Sequence, residues 1–307
     1  MQNILVIKHG ALGDVILAQS PFQAIRQQHP DAKITLLTTK PFAGFLEKSG
    51  LFDDIWIDDK PKLWNFKRLA TLRKKLRSGE FDRVYDLQTS QRTNTYFNLF
   101  AAGKKPEWCG YAKAGSHPHL SPMRTKIHTI ERHVDQLGVI GVTDIPAADF
   151  SWAMTDISKF SLPSEIALLV PGGSAHRPEK RWPASRFGEL ACHLQNNGLT
   201  AVLLGGPAEA DAIAEIRQLC PDAMDLSSQT SFGDIASLGA KAKLAIGNDT
   251  GPLHLISAVG CPTIVLFSKA SNPDMSRPRG ADVRVLREDN LADLPLQAVI
   301  DQLEITS

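Results

Sequence analysis

Cysteine is scarce. The four in 307 residues, Cys109, Cys192, Cys220 and Cys261, show no paired metal-binding spacing, which excludes a disulfide framework and a cysteine zinc site. They are expected to be reduced and mostly buried. No apolar run approaches the roughly 20 residues that cross a bilayer. The chain enters a strand pattern directly after Met1-Gln2, so a cleaved signal is not expected and a cytoplasmic address is. No Walker lysine follows a glycine-rich loop, which excludes a P-loop. The glycines after the first apolar run, Gly10 and Gly13, lack the G-x-G core of a dinucleotide fingerprint. Acidic residues are missing altogether from Lys60 to Gly79.

What is present is a soluble, globular composition, 43% hydrophobic and 22% charged, with enough apolar material for a sizeable core. Its length suits one large or two medium domains. The net charge of +1 is unevenly shared. Residues 1–150 hold 21 Lys and Arg against 15 Asp and Glu, and the remainder 13 against 18. The halves therefore carry +6 and −5, which suits different partners.

Apolar strands and helical stretches alternate along both halves, the signature of parallel sheets covered by helices. In the first half, strands are expected at Asn3–Lys8, Lys33–Thr39, Asp54–Ile57 and Arg83–Leu87, with helices at Pro41–Lys48 and Phe66–Leu76. A second series starts at Ile166–Val170 and runs through Thr200–Leu204, the apolar strand end Leu244-Ala245-Ile246 and Thr263–Phe267 to a terminal helix at Leu291–Leu303. The alternation lapses over Thr143–Ser164, so domains are drawn at 1–150 and 151–307, with the terminal helix free to return to the first. Two Rossmann-like α/β domains with parallel sheets facing across a cleft, the GT-B architecture, fit this better than one dehydrogenase domain.

Strand ends are where open parallel sheets bind ligands. From Leu244 to His254 the chain reads as a strand end, a Gly247-Asn248-Asp249-Thr250-Gly251 turn and a helix with Pro252 in its first turn. Free N–H groups and a helix dipole there suit a phosphate. An ordinary connection capped by Asp249 or Thr250 reads equally well. Near the N-terminus, Asp14 opens a helix, either as a placed carboxylate or as a favourable charge on the helix dipole. Gln88 and Arg92 sit in a polar loop after the fourth strand. Gly115–His133, with Arg124, Lys126, Arg132 and four histidines, reads as a polar, partly mobile acceptor loop without a metal site. After Pro171-Gly172-Gly173-Ser174, the cations Arg177, Lys180 and Arg181 suit a diphosphate, or are exposed charges around a packed Trp182. The cationic, aromatic segment from Lys60 to Arg77 is either a solvated helix face or a contact for an anionic membrane or phosphorylated lipid.

Taken together, four motifs resemble glycosyltransferase family 9, the ADP-heptose:lipopolysaccharide heptosyltransferases. They are Lys8-His9-Gly10-Ala11-Leu12-Gly13-Asp14, Pro171–Ser174 with Glu179-Lys180-Arg181-Trp182-Pro183, Gly205-Gly206-Pro207, and Asn248–His254. The resemblance implies an inverting transfer of heptose from ADP-heptose to a sugar hydroxyl of the lipopolysaccharide inner core. It implies Asp14 as base, with Gly13, Gln88 and Arg92 on the acceptor side. It implies Lys180 on the diphosphate, Glu209 near the ribose and Asp249 on the heptose. Gly173, Ser174, Thr250, Gly251 and His254 complete the donor site. No Asp-x-Asp pair occurs, so no metal or other cofactor is required, although stimulation by a divalent cation is left open. A lipid A-linked or core acceptor and peripheral contact with the cytoplasmic face of an anionic inner membrane are the expected partners, and nucleic acid is not. The alternatives are a nucleotide-sugar 2-epimerase and a non-catalytic nucleotide- or lipopolysaccharide-binding relative. By the same reading, Asp249→Ala spares binding of the plain nucleoside diphosphate while impairing the sugar donor.

Overall fold

The computed structural model describes residues 1–62, 64–101, 103–173 and 176–303. The chain divides into two compact units, Met1–Trp152 and Ala153–Ser307. The first contains β1 (Asn3–Ile7), α1 (Leu12–Ile16), α2 (Gln19–Gln28), β2 (Lys33–Thr38), α3 (Lys40–Glu47), β3 (Asp54–Ile57), α4 (Phe66–Ser78) and β4 (Arg83–Asp86). It continues with α5 (Gln91–Tyr96), β5 (Glu107–Gly110), β6 (His117–Pro118) and α6 (Thr129–Gly138). The second contains β7 (Ile166–Val170), α7 (Ala184–Asn196), β8 (Thr200–Leu203), α8 (Ala210–Leu219), β9 (Met224–Asp225) and α9 (Phe232–Lys241). β10 (Leu244–Asn248), α10 (Gly251–Ala258), β11 (Thr263–Phe267), α11 (Pro273–Ser276), β12 (Val283–Arg287) and α12 (Leu296–Leu303) follow.

Each unit holds one six-stranded sheet, ordered β3-β2-β1-β4-β5-β6 and β12-β11-β10-β7-β8-β9. Counted within its own unit, each sheet has the order 3-2-1-4-5-6, with all its pairs parallel, as in the doubly wound Rossmann fold. Such strands are covered on both faces, so they are continuous apolar runs rather than alternating ones. Ile4 to Ile7, all of β7 and all of β11 are accordingly buried. Register places Val6 beside Leu36 on one side and Tyr85 on the other. Gly247 is required where β10 meets β7, because a Cβ there would stand 2.4 Å from the Val170 carbonyl oxygen.

Among the described residues, one apolar cluster in the first unit gathers Leu5, Leu37, Leu76, Val84, Tyr96 and Trp108; a second cluster, in the second unit, gathers Leu169, Trp182, Phe187, Leu203, Ile246 and Leu266. Leu296, Val299, Ile300 and Leu303 of α12 join the second core and α12 packs on α7, so the terminal helix belongs to the second unit. Among the described residues no helix is long and apolar enough to cross a membrane.

The stretch Gly115–His133 differs from the expected mobile loop. It contributes β6, a 3-10 turn at Pro122–Thr125 and the start of α6. His119, His128 and His133 are buried, because polar residues of α6 turn inward: Gln136 donates to the carbonyls of Asp86 (2.9 Å) and Cys109 (3.3 Å).

Candidate functional site

In a doubly wound sheet the crevice lies at the carboxyl ends of the strands where the order reverses. Here that point falls between β1 and β4 in the first unit and between β7 and β10 in the second. Apart from Glu209, which follows the neighbouring β8, the described residues assigned from the sequence to the base, donor and acceptor sites lie on the segments leaving those four strands.

In the first unit, Asp14 is half-buried in the first turn of α1. The chain reaches it through a tightly held turn. His9 donates its backbone N–H to Gln88 Oε1 (2.8 Å), and its carbonyl accepts the Thr39 hydroxyl (2.8 Å). Gly10 follows at φ +108° with Phe42 packed where a Cβ would be, a conformation L side chains rarely adopt. His9 Nε2 lies 2.9 Å from Asp58 Oδ2, and the Tyr96 hydroxyl donates to the same oxygen at 2.5 Å. Burial opposes the Asp58 charge, but the bonds from His9 and Tyr96 prevail and hold its carboxyl below the ordinary value.

Gln88 and Arg92 therefore act on the protein itself. Gln88 bridges the two loops at the switch point, while Arg92 Nη1 donates to the Pro61 carbonyl at 2.8 Å. Gly13 is buried in α1, its carbonyl accepting the Leu17 N–H at 2.9 Å. Lys8 and Arg132 lie within electrostatic reach of Asp14. Arg132 stands on α6, and Arg124 adds a guanidinium 3.8 Å from the Tyr111 ring. Asp86, at the end of β4, is fully buried, and burial pushes its carboxyl up to about 6 against hydrogen bonds from Thr93, Thr89 and Gln88.

In the second unit, Asn248 laces the strand ends together. Its amide donates to the carbonyls of Pro171 (2.8 Å) and Gly172 (3.1 Å) and accepts the Trp182 N–H (3.0 Å). Trp182 is the packing anchor, edge-on to Phe187 with centroids 4.9 Å apart. Around it the cations separate. Lys180 Nζ donates to Asp249 Oδ2 at 2.8 Å, and the Ser271 hydroxyl reaches the same oxygen at 2.8 Å. Arg181 donates to the Gly173 carbonyl at 2.7 Å and lies 3.7 Å from Glu209 Oε1. Arg177 reaches the Ala270 carbonyl at 3.3 Å.

The helix-capping alternative is decided here. Thr250 occupies the N-cap of α10, yet its side chain makes no cap bond; its hydroxyl is buried without a hydrogen-bond partner. Asp249 serves Lys180 and Ser271 instead. A cavity of about 330 Å³ opens beside this helix start, with Gly172, Gly173, Gly205, Glu209 and Thr250 in its wall. Glu209 folds across it, accepting the Gly206 N–H at 2.9 Å. A Cβ on Gly205 would stand 3.0 Å from the Glu209 Cβ. Phe232 and Ile235 of α9 supply apolar wall, a role of which the sequence gave no sign. His254 is buried one turn along α10. Ser174 lies outside the described residues. Among the described residues no three His, Cys, Asp or Glu side chains gather as a metal-binding group.

Chemically, the second site offers backbone N–H groups at a helix start, a cation, a carboxylate and a nucleoside-sized cavity. The first offers a half-exposed carboxylate among cations. Comparison with known proteins agrees. A family model described as glycosyltransferase family 9 (heptosyltransferase) matches residues 69–301. Lipopolysaccharide heptosyltransferase 3 of Escherichia coli K12 is 24% identical over 94% of this chain and 89% of its own length. In fold the chain is similar to a family 9 glycosyl transferase from Veillonella parvula, with a TM-score of 0.84 at 22% identity, covering 99% and 97% of the two chains. It is also similar to the E. coli heptosyltransferase WaaC solved with ADP, with a TM-score of 0.78 at 20% identity over the whole of both.

Proposed function

Since the chain belongs to glycosyltransferase family 9, the heptosyltransferase family, we propose that it moves a heptose from ADP-heptose to a sugar hydroxyl of the lipopolysaccharide inner core, inverting the anomeric carbon. The observation that carries this reading is the pairing of Lys180 with Asp249 at the open start of α10. That one place holds a cation for a diphosphate and a carboxylate for a sugar hydroxyl, beside the cavity for the nucleoside.

A sugar hydroxyl is a poor nucleophile, and Asp14 takes its proton as the oxygen attacks C1 of the heptose. The bond from C1 to the phosphate oxygen breaks with its electron pair, and ADP leaves. The charge that develops on the diphosphate is met by Lys180 and by the N–H groups around Gly251, with the free Thr250 hydroxyl beside them. Glu209 takes a ribose hydroxyl, and Gly173 allows close approach of the backbone. His254 borders the sugar-phosphate site. Gln88, Arg92 and Gly13 shape the acceptor side by fixing the loops around Asp14, and Arg124 and Arg132 are available to anionic groups of the acceptor. The reaction requires no metal in this reading. An epimerase acting on a free nucleotide sugar would need no acceptor. The acceptor's lipid anchor places the enzyme at the cytoplasmic face of the inner membrane.

The test is to incubate the protein with a panel of nucleotide sugars and a truncated core acceptor, with and without EDTA, and to weigh the products. A heptosylated acceptor formed only from ADP-heptose, in EDTA as well, is expected. Asp14→Asn should bind ADP-heptose as tightly as wild type while turnover falls by roughly 10²–10⁴-fold. A near-normal rate for this variant returns Asp14 to the helix dipole, and product from a different nucleotide sugar overturns the donor.

A further inference from the structure

The turn after β11 stands beside the donor-side residues of the second unit and has no task in the reaction above. Residues 268–271 are tightly braced. Ser268 is fully buried; its hydroxyl accepts the Ala270 N–H at 3.2 Å and its carbonyl accepts the Ser271 N–H at 3.3 Å. From the loop before α7, Arg177 donates to the Ala270 carbonyl at 3.3 Å. None of these bonds uses the Ser271 hydroxyl, so the turn itself does not require it. That hydroxyl donates instead to Asp249 Oδ2 at 2.8 Å, the oxygen that also accepts Lys180 Nζ at 2.8 Å. Three segments, carrying Lys180, Asp249 and Ser271, therefore meet at one carboxylate oxygen. Its two donors differ in kind. Lys180 is a charge on a long, flexible stem that a phosphate can draw away. Ser271 is a short neutral donor on a braced turn, and it stays. The side chains of Lys180 and Asp249 are each only 12% exposed, so water does not readily replace a donor that leaves. A largely buried carboxylate stripped of its donors is costly.

We propose that Ser271 is the positioning residue for Asp249: its hydroxyl holds Oδ2 when the donor diphosphate draws Lys180 away, and so keeps the carboxylate in place for the heptose. The inference rests on the reading of Lys180 as the cation that meets the diphosphate. The serine turns the release of Lys180 into an exchange of donors at Oδ2. With Oδ2 held, the other carboxylate oxygen is left to accept a sugar hydroxyl.

The experiment titrates ADP and ADP-heptose calorimetrically into wild type, Lys180→Ala, Ser271→Ala, Ser271→Thr, Asp249→Ala and the double variant Asp249→Ala/Ser271→Ala. Ser271→Ala should bind ADP about fivefold more weakly, because Lys180 then leaves an acid with no second donor. ADP-heptose should lose at least as much. Ser271→Thr keeps the hydroxyl and should stay within about twofold of wild type for both ligands. In the Asp249→Ala background, Ser271→Ala should change ADP affinity by no more than about twofold, because the oxygen it holds is already gone. An equal loss in both backgrounds means a serine that only supports its own turn, and overturns the proposal. So does a Ser271→Thr variant as weak as Ser271→Ala. ADP binding by Lys180→Ala as tight as wild type removes the diphosphate role of Lys180 and the proposal with it. Weakened ADP binding by Lys180→Ala beside wild-type binding by Ser271→Ala overturns the proposal alone.

Discussion

Asp249 holds two hydroxyl- and cation-seeking tasks on a single oxygen, since Oδ2 accepts both Lys180 and Ser271. The sequence motifs marked Asp249 and Lys180 separately, one for the sugar and one for the diphosphate. They are 69 positions apart, and no periodicity or spacing joins residues so far separated, so their contact was illegible. It changes an expectation. Asp249→Ala does more than spare the plain diphosphate, because it releases Lys180 from a half-buried ion pair. ADP should bind this variant about fivefold more tightly, the equivalent of roughly 1 kcal/mol for such a pair. ADP-heptose should gain nothing or lose. Calorimetric titration of both ligands decides it, and an equal loss of both would mean that the turn after β10 had collapsed. Gln88 teaches the same lesson from the other side. Its place after β4 was plain from the sequence, but its use as a bridge to His9 depends on a loop 79 residues away.

Among the elements, α4 is the one whose surface is in excess of what folding needs. Only Leu72 and Leu76 are buried. Lys67, Arg68, Arg73, Lys74 and Arg77 are exposed, and Trp64 and Phe66 at its start stand 72% and 78% exposed. The last turn's Lys75 is different, lying 5.2 Å over the Trp56 ring and donating to the Ile57 carbonyl. A solvated helix face accounts for the cations and leaves the two exposed aromatics without a purpose, whereas an anionic lipid surface takes both. Reversing charge at Lys67, Arg73 and Lys74 should abolish sedimentation with vesicles containing anionic lipid, and wild-type binding should fade as salt rises. Wild-type protein that ignores such vesicles at low salt would reduce the segment to a solvated face. Long apolar or amphipathic segments such as α4, β7 and β11 were readable to within a residue or two. β5, α5 and the two-residue β6 were not, because Glu107–Gly110 and His117–Pro118 offer no run of apolar residues to set them off and α5 (Gln91–Tyr96) has an ordinary polar composition.

At the level of the whole chain, separate apolar clusters in each unit and two identically ordered sheets mean that ligand binding to one unit has its own local signature. Adding ADP should slow amide hydrogen exchange at Gly172, Gly173, Gly205, Gly206 and Gly251, and leave β1 and β4 unchanged. Equal protection of β1 and β4 would place the nucleotide in the wrong unit. The sequence loses its alternation around residues 143–164, and the structure parts the two units after Trp152.

That repeated strand order has a consequence for descent. Each sheet reverses once, and each reversal offers one crevice on loops that its own core holds in place. On the proposed reading, with the acceptor at the first crevice and the donor at the second, a lineage that must meet a new acceptor sugar can redraw the loops after β1 and β4 without disturbing a hydrogen bond around Asn248. A lineage that must change its donor can do the reverse. The chain keeps its two vocabularies in separate books.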